Sequence, residues 1–125
     1  MLLLMMVSAV AWASDGLTPR VHFLSNQEDL TTDQLHVLNE NAAWLEQNRA
    51  EVIILEGHCD EWGEHWYNLE LGDRRARTVK AYLIEKGIDP ERIILVVSYG
   101  DKRPLNPEHN NEAWKQNRRV EFVLR

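Results

Sequence analysis

The sequence predicts an α/β fold of the α+β two-layer sandwich type. Helices pack on one face of a four-stranded mixed sheet, in the order β-α-β-α-β-(α)-β. Three observations carry this. Leu35, Leu38, Ala42 and Leu45 recur at helical intervals, as do Ala76, Val79 and Leu83. Val52-Ile53-Ile54-Leu55 and Ile93-Ile94-Leu95-Val96-Val97 are continuous apolar runs of strand length, as expected of buried strands covered on both sides. These segments alternate along the chain, and strands joined through helices favour parallel neighbours with right-handed crossovers. At 125 residues the chain is one domain long.

Each element has its own signals. Met1 to Ala13 is apolar apart from Ser8 and ends in Ala11-Trp12-Ala13, which reads as a signal peptide cut after Ala13, although no Lys or Arg precedes the apolar run. It is too short to span a bilayer as a helix. Residues 14–19 read as a linker and 20–125 as the folded domain. Arg20 to Leu24 alternates weakly and fits a first strand. Thr31 to Asn48 is the clearest helix, with Thr31 and Gln34 at capping-box spacing. Gly57 and Gly63 bracket a loop after the second strand. Asn68 is placed to cap a helix running to about Lys86, with Gly87 as its stop. Asp101 to Asn110, rich in Pro, Asn and charge, is a loop. Glu112 to Gln116 fits one helical turn around Trp114, and Val120 to Leu124 closes the chain as a strand.

Bulk composition excludes some classes. A net charge of −6 disfavours a nucleic-acid partner, whose phosphates call for a basic surface. Cys59 is the single cysteine, so the chain forms no internal disulfide and no cysteine cluster holds zinc. Nothing in the sequence calls for a cofactor.

The segment with most chemistry is Gly57-His58-Cys59-Asp60-Glu61-Trp62-Gly63, followed by Tyr67-Asn68 and Arg74-Arg75-Ala76. It sets an acid on the loop after a strand and arginines near the front of the next helix. A guanidinium grips a carboxylate with two hydrogen bonds, and a helix N-terminus favours anions. Asp60 and Arg75 together suit a ligand bearing both an ammonium and a carboxylate. The alternative is that they pair with each other or lie in solvent. Arg118 and Arg119 open the last strand and must point to opposite faces, so one can face the Asp60 loop while the other is solvated.

His58, Cys59, Asp60 and His65 are metal-ligand types, but their spacing fits no tetrahedral pattern well. The plainer readings are a hydrogen-bonded His58 and a half-buried thiol at Cys59. Asp60, Glu61 and Glu64 share one loop, whereas glycoside hydrolysis needs carboxyl groups on opposite sides of a cleft; the chain is not expected to be an enzyme. Trp62 and Trp66 either pack the loop or offer a flat surface to a ligand. Trp44, on the first helix, is core.

Glu56-Gly57-His58-Cys59-Asp60, Gly63, Tyr67-Asn68, Leu71-Gly72-Asp73-Arg74-Arg75-Ala76, Tyr82-Leu83, Gly87, Ser98-Tyr99-Gly100, Pro104 and Asn117-Arg118-Arg119-Val120-Glu121 together resemble the OmpA-like peptidoglycan-binding domain. The resemblance covers about residues 20–125 and is strongest to the peptidoglycan-associated lipoprotein branch. It implies a non-catalytic periplasmic module, associated with the outer membrane or cell wall, that binds the diaminopimelate of the peptidoglycan stem peptide. In that pattern Asp60 contacts the ammonium, Arg75 a carboxylate, Arg118 belongs to the site, and Tyr67 and Asn68 shape the pocket. The alternative it carries is a Tol-Pal-type adaptor, with Tol-type envelope proteins as partners and wall binding secondary. A stator-like component would need a long apolar span, which this sequence lacks. The chain departs from the pattern at Trp62, where close relatives often carry arginine, at the bulky His65-Trp66, at Leu24-Ser25-Asn26, and in having no lipid-bearing cysteine beside the Ala13 cleavage site.

Overall fold

The computed structural model describes residues 16–125. The expected signal peptide, residues 1–13, lies outside them. The described elements are β1 (Arg20–His22), α1 (Thr32–Gln47), β2 (Ile53–His58), α2 (His65–Glu85), a 3-10 turn (Pro90–Arg92), β3 (Ile93–Gly100), α3 (Asn111–Asn117) and β4 (Arg119–Leu124). The four strands form one mixed sheet in the order β1-β4-β2-β3. β2 and β3 are parallel, and β4 runs antiparallel to both β1 and β2. The closing strand therefore inserts between β1 and β2, and only the β2-α2-β3 crossover joins strands that are direct neighbours.

One core lies between the sheet and α1 and α2. Leu38, Ala42, Trp44 and Leu45 of α1 and Ala76, Val79 and Leu83 of α2 meet Val21, Ile53, Leu55, Val120 and Phe122 of the sheet. The helical periodicity of the sequence is the inner face of each helix. The expectation that both apolar runs are covered on two sides is corrected. β2 alternates buried and half-buried residues. β3 is an edge strand, and Ile94 and Leu95 are about half exposed. Helices cover a single face, so only alternate residues of each strand reach the core.

Helix starts differ from the sequence reading in an informative way. Thr31 stands at the N-cap of α1, but its side chain makes no capping bond. Gln34 turns instead to accept from the His22 amide at 2.8 Å, joining α1 to β1. α2 begins at His65, three residues before the expected cap Asn68, with Glu64 at the N-cap position. Thr18 exchanges two hydrogen bonds with Asn41, at 2.9 and 3.0 Å, tying the segment before β1 to α1.

Two glycines decide how closely α2 approaches the sheet. A Cβ on Gly57 would fall 1.8 Å from the Gly72 carbonyl oxygen, and one on Gly72 would fall 2.2 Å from Ser98 Oγ. With no side chain at either position, the helix rests directly on the backbone of β2. Arg75 follows Gly72 by three residues, so the contact sets Arg75 against the C-terminal end of β2.

Candidate functional site

β2 ends at His58 and its exit loop carries Cys59 to Gly63 across the N-terminal end of α2. With the loop after β1, these segments enclose a pocket of about 200 Å³ lined by Ser25, Asn26, Cys59, Asp60, Trp62, Gly63, Tyr67, Asn68, Leu71 and Arg75. Four of the five expected site residues line it. Arg118 reaches it through Asp60.

Arg75 is almost fully buried, at 1% exposure. Its Nε–H donates to the Gln27 carbonyl at 2.7 Å, one terminal nitrogen to the Leu24 carbonyl at 3.1 Å, and the other to the His58 carbonyl at 3.1 Å and Cys59 Sγ at 3.5 Å. Phe23 lies under the guanidinium, 5.2 Å to the ring centroid. Among the described residues, no carboxylate lies within ion-pairing distance of Arg75. Burial pulls its pKa below the ordinary arginine value, while Cys59 and Asp60 push it back up. An arginine keeps its proton nonetheless. The pocket wall thus holds a desolvated cation compensated by carbonyl dipoles rather than by a counter-charge.

Asp60 is 8% exposed. Its Oδ2 accepts from an Arg118 terminal nitrogen at 3.2 Å and its Oδ1 from the Trp62 amide at 3.1 Å. Of the alternatives the sequence left open, neither holds: Asp60 pairs with Arg118, not with Arg75 or with solvent. Arg118, the residue just before β4, also donates from Nε to the Phe23 carbonyl at 2.8 Å. Arg119 corrects the expectation of a solvated partner. It is buried, and donates to Glu121 and to the carbonyls of Asn117 and Arg103. Burial raises the Glu121 pKa, but hydrogen bonds from Arg20 and Arg119 outweigh that and leave it below the ordinary carboxylate value.

Tyr67 and Asn68 both bind the loops around the pocket, and Asn68 does so from within α2 rather than as its cap. The Tyr67 hydroxyl donates to Asn26 Oδ1. Asn26 has a positive φ of 57°, a conformation asparagine tolerates better than most residues, so this bond fixes the turn after β1. Asn68 Nδ2 donates to the Trp62 carbonyl at 2.9 Å, closing the Asp60 loop over the start of α2.

The four metal-ligand types point apart. His58 packs against Tyr99, Cys59 Sγ lies 3.2 Å from the Asn68 carbonyl, Asp60 meets Arg118, and His65 Nδ1 meets Asp101 at 2.7 Å. Neither plain reading of the first two holds. The ring nitrogens of His58 are buried with no hydrogen-bond partner among the described residues, and Cys59 is fully rather than half buried. Burial lowers the His58 pKa to about 4 and raises that of Cys59 to about 11.

Sequence reasoning missed the contribution of the loop after β1. Ser25 and Asn26 line the pocket, and Leu24 and Gln27 supply carbonyls to Arg75. Backbone acceptors have no residue signature; the nearest signal was the unusual Leu24-Ser25-Asn26 itself. Glu61, weighed in the sequence only as one of three loop carboxylates, proves to be a structural anchor: its Oε2 accepts from Trp114 Nε1 at 3.0 Å and faces His109 Nδ1 at 2.6 Å.

The fold is a mixed sheet carrying two helices on one face, and an acid and a buried guanidinium line one small pocket at the end of β2. The sequence pattern of the OmpA family matches residues 22–118, and the chain belongs to that family. The peptidoglycan-associated lipoprotein of Pseudomonas aeruginosa is 40% identical over 101 residues, covering 81% of this chain and 59% of that protein. The Haemophilus influenzae protein of the same name is 38% identical over 100 residues, covering 80% of this chain and 65% of that one. This chain spans about 60% of the length of several such curated relatives. The crystal structure of the Burkholderia pseudomallei peptidoglycan-associated lipoprotein superposes with a TM-score of 0.80 at 28% identity, covering 86% of this chain and 91% of that one. The C-terminal domain of Helicobacter pylori MotB shares the fold, with a TM-score of 0.78 at 23% identity over 88% of this chain and 85% of that one.

Proposed function

We propose that this domain binds peptidoglycan non-catalytically in the periplasm, through the diaminopimelate of the stem peptide, and so holds an outer-membrane or envelope assembly to the cell wall. The carrying observation is the buried Arg75 cation with no carboxylate partner among the described residues, opening on the pocket that Asp60 also lines. The side-chain end of diaminopimelate carries an ammonium and a carboxylate on one carbon. Asp60 accepts one N–H on each oxygen and has lone pairs left for the ammonium. Three carbonyls and a sulfur occupy four of the five guanidinium N–H groups of Arg75, leaving one for the carboxylate. Arg118 holds Asp60 in place. The printed name of the relatives, peptidoglycan-associated lipoprotein, supports the same reading.

The carboxylates of the loop do not suit hydrolysis. Asp60 is engaged by Arg118, and Glu61 by Trp114 and His109. Purified domain should therefore co-sediment with diaminopimelate-type sacculi and release no soluble muropeptides. Equal binding to lysine-type sacculi, whose third residue lacks the second carboxylate, would overturn the assignment. A Tol-Pal-type adaptor is the second reading, favoured by the exposed Ile94 and Leu95 on the free edge strand β3. Envelope proteins captured by the domain but released by Leu95→Lys, with sacculus binding unaffected, would support it.

A further inference from the structure

We infer that Trp62 is a stacking platform for a sugar ring of the glycan strand, next to the pocket that takes the stem peptide. The inference rests on the stem-peptide reading and extends it along the polymer. Trp62 lines the pocket, yet its side chain is largely open to solvent, at 61% exposure. An indole that packs nowhere would be free to move; this one is held. Its amide donates to Asp60 Oδ1 at 3.1 Å and its carbonyl accepts from Asn68 Nδ2 at 2.9 Å. Trp114 meets it edge-to-face at 5.3 Å and 71°, and Trp114 is itself anchored by Nε1 on Glu61. The backbone under the ring is thereby fixed relative to Asp60, and Trp114 holds one edge of the ring, while most of the residue stays uncovered. A pre-positioned aromatic face is suited to a ligand that is apolar on one side and polar at its rim.

The polymer carries such a ligand within reach of the pocket. Diaminopimelate is separated from the muramic acid ring by two residues and a lactyl bridge. At about 3.3–3.6 Å per extended residue, the ring leaves the pocket by roughly 10 Å. The axial C–H face of a pyranose matches an indole, and its equatorial hydroxyls stay in water. The flanking charges favour a neutral partner: Glu61 and Glu64 bracket Trp62, and the chain carries −6 overall, which disfavours an anionic lipid surface. Trp66, 62% exposed, stands edge-to-face with Tyr67 and does not line the pocket. It serves as the comparison.

Isothermal titration with two ligands tests the proposal: the free tripeptide L-Ala-γ-D-Glu-diaminopimelate, and the same tripeptide on GlcNAc-MurNAc. Covering roughly 50 Å² of indole corresponds to about tenfold in affinity, which is the expected gain from the disaccharide. In Trp62→Ala the ratio of the two affinities should fall to about one; in Trp62→Phe part of it should persist; in Trp66→Ala it should be retained. Equal affinities in the parent would overturn the platform while leaving the stem-peptide site standing. A ratio preserved in Trp62→Ala, or lost only in Trp66→Ala, would overturn it as well, as would a Trp62-dependent binding to phosphatidylglycerol vesicles in place of the sugar gain. A parent that binds neither ligand would remove the stem-peptide reading and the platform together.

Discussion

Arg75 and Asp60 play unequal parts. Arg75 is both a ligand contact and a clasp, because its guanidinium ties Leu24 and Gln27 after β1 to His58 at the end of β2. Removing it strands these carbonyls, so Arg75→Ala should lose about 2–4 kcal/mol of stability in urea unfolding as well as ligand binding. Spacing alone would lead one to expect an intact fold. Asp60→Asn is the more conservative probe. It keeps the shape and an oxygen for the Trp62 amide, but its NH2 faces the Arg118 donor, so the charge and the Arg118 ion pair are lost together. Stem-peptide affinity should fall about 10- to 100-fold by calorimetry, with the fold retained by circular dichroism and the unfolding midpoint lowered by loss of the Arg118 pair. A variant that bound like the parent would remove Asp60 from the site.

At the scale of elements, the crossing of α2 over β2 governs the pocket. Gly57 and Gly72 meet backbone to backbone, and Arg75 lies one turn beyond. Gly72→Ala should cost about 1–3 kcal/mol through overpacking, because its Cβ meets Ser98 Oγ first. Adding Ser98→Ala should recover part of that loss. The same second change should not rescue Gly57→Ala, whose Cβ meets the Gly72 carbonyl. Paired denaturation curves of the single and double variants distinguish the two cases. If Ser98→Ala rescued both equally, the backbone contact would not be the controlling one.

For the whole molecule, His58 makes stability depend on mild acid. An unfolded histidine takes its proton near 6.5, whereas folded His58 does so near pH 4. Between these values the unfolded chain binds more protons, so stability rises with pH from about 4 to 6.5 and this contribution is flat above. Burial lowers His22 too, which acts in the same direction. His109, held up by Glu61, acts oppositely but is exposed on the surface. Thermal melts from pH 4 to 7 should therefore show a rising midpoint, and His58→Gln should flatten the slope whatever it does to the absolute value. An unchanged slope in that variant would show that other groups control the acid limb.

Much of this was legible because helix and strand periodicity are local. The inner faces of α1 and α2, the apolar runs of β2 and β3, and the closing strand all follow from which residues recur at which interval. The pairing of an acid with arginines was legible for the same reason: Asp60, Arg75 and Arg118 are residue types whose charge declares them. What the sequence could not determine is which charge meets which. Insertion of β4 between β1 and β2 delivers Arg118 to Asp60, and the glycine contact sets Arg75 among carbonyls of the loop after β1 and of the end of β2. Sheet order likewise made β3 an edge strand despite its apolar run. Those outcomes depend on contacts between residues tens of positions apart, and on backbone acceptors that every residue possesses, so only the tertiary structure could decide them.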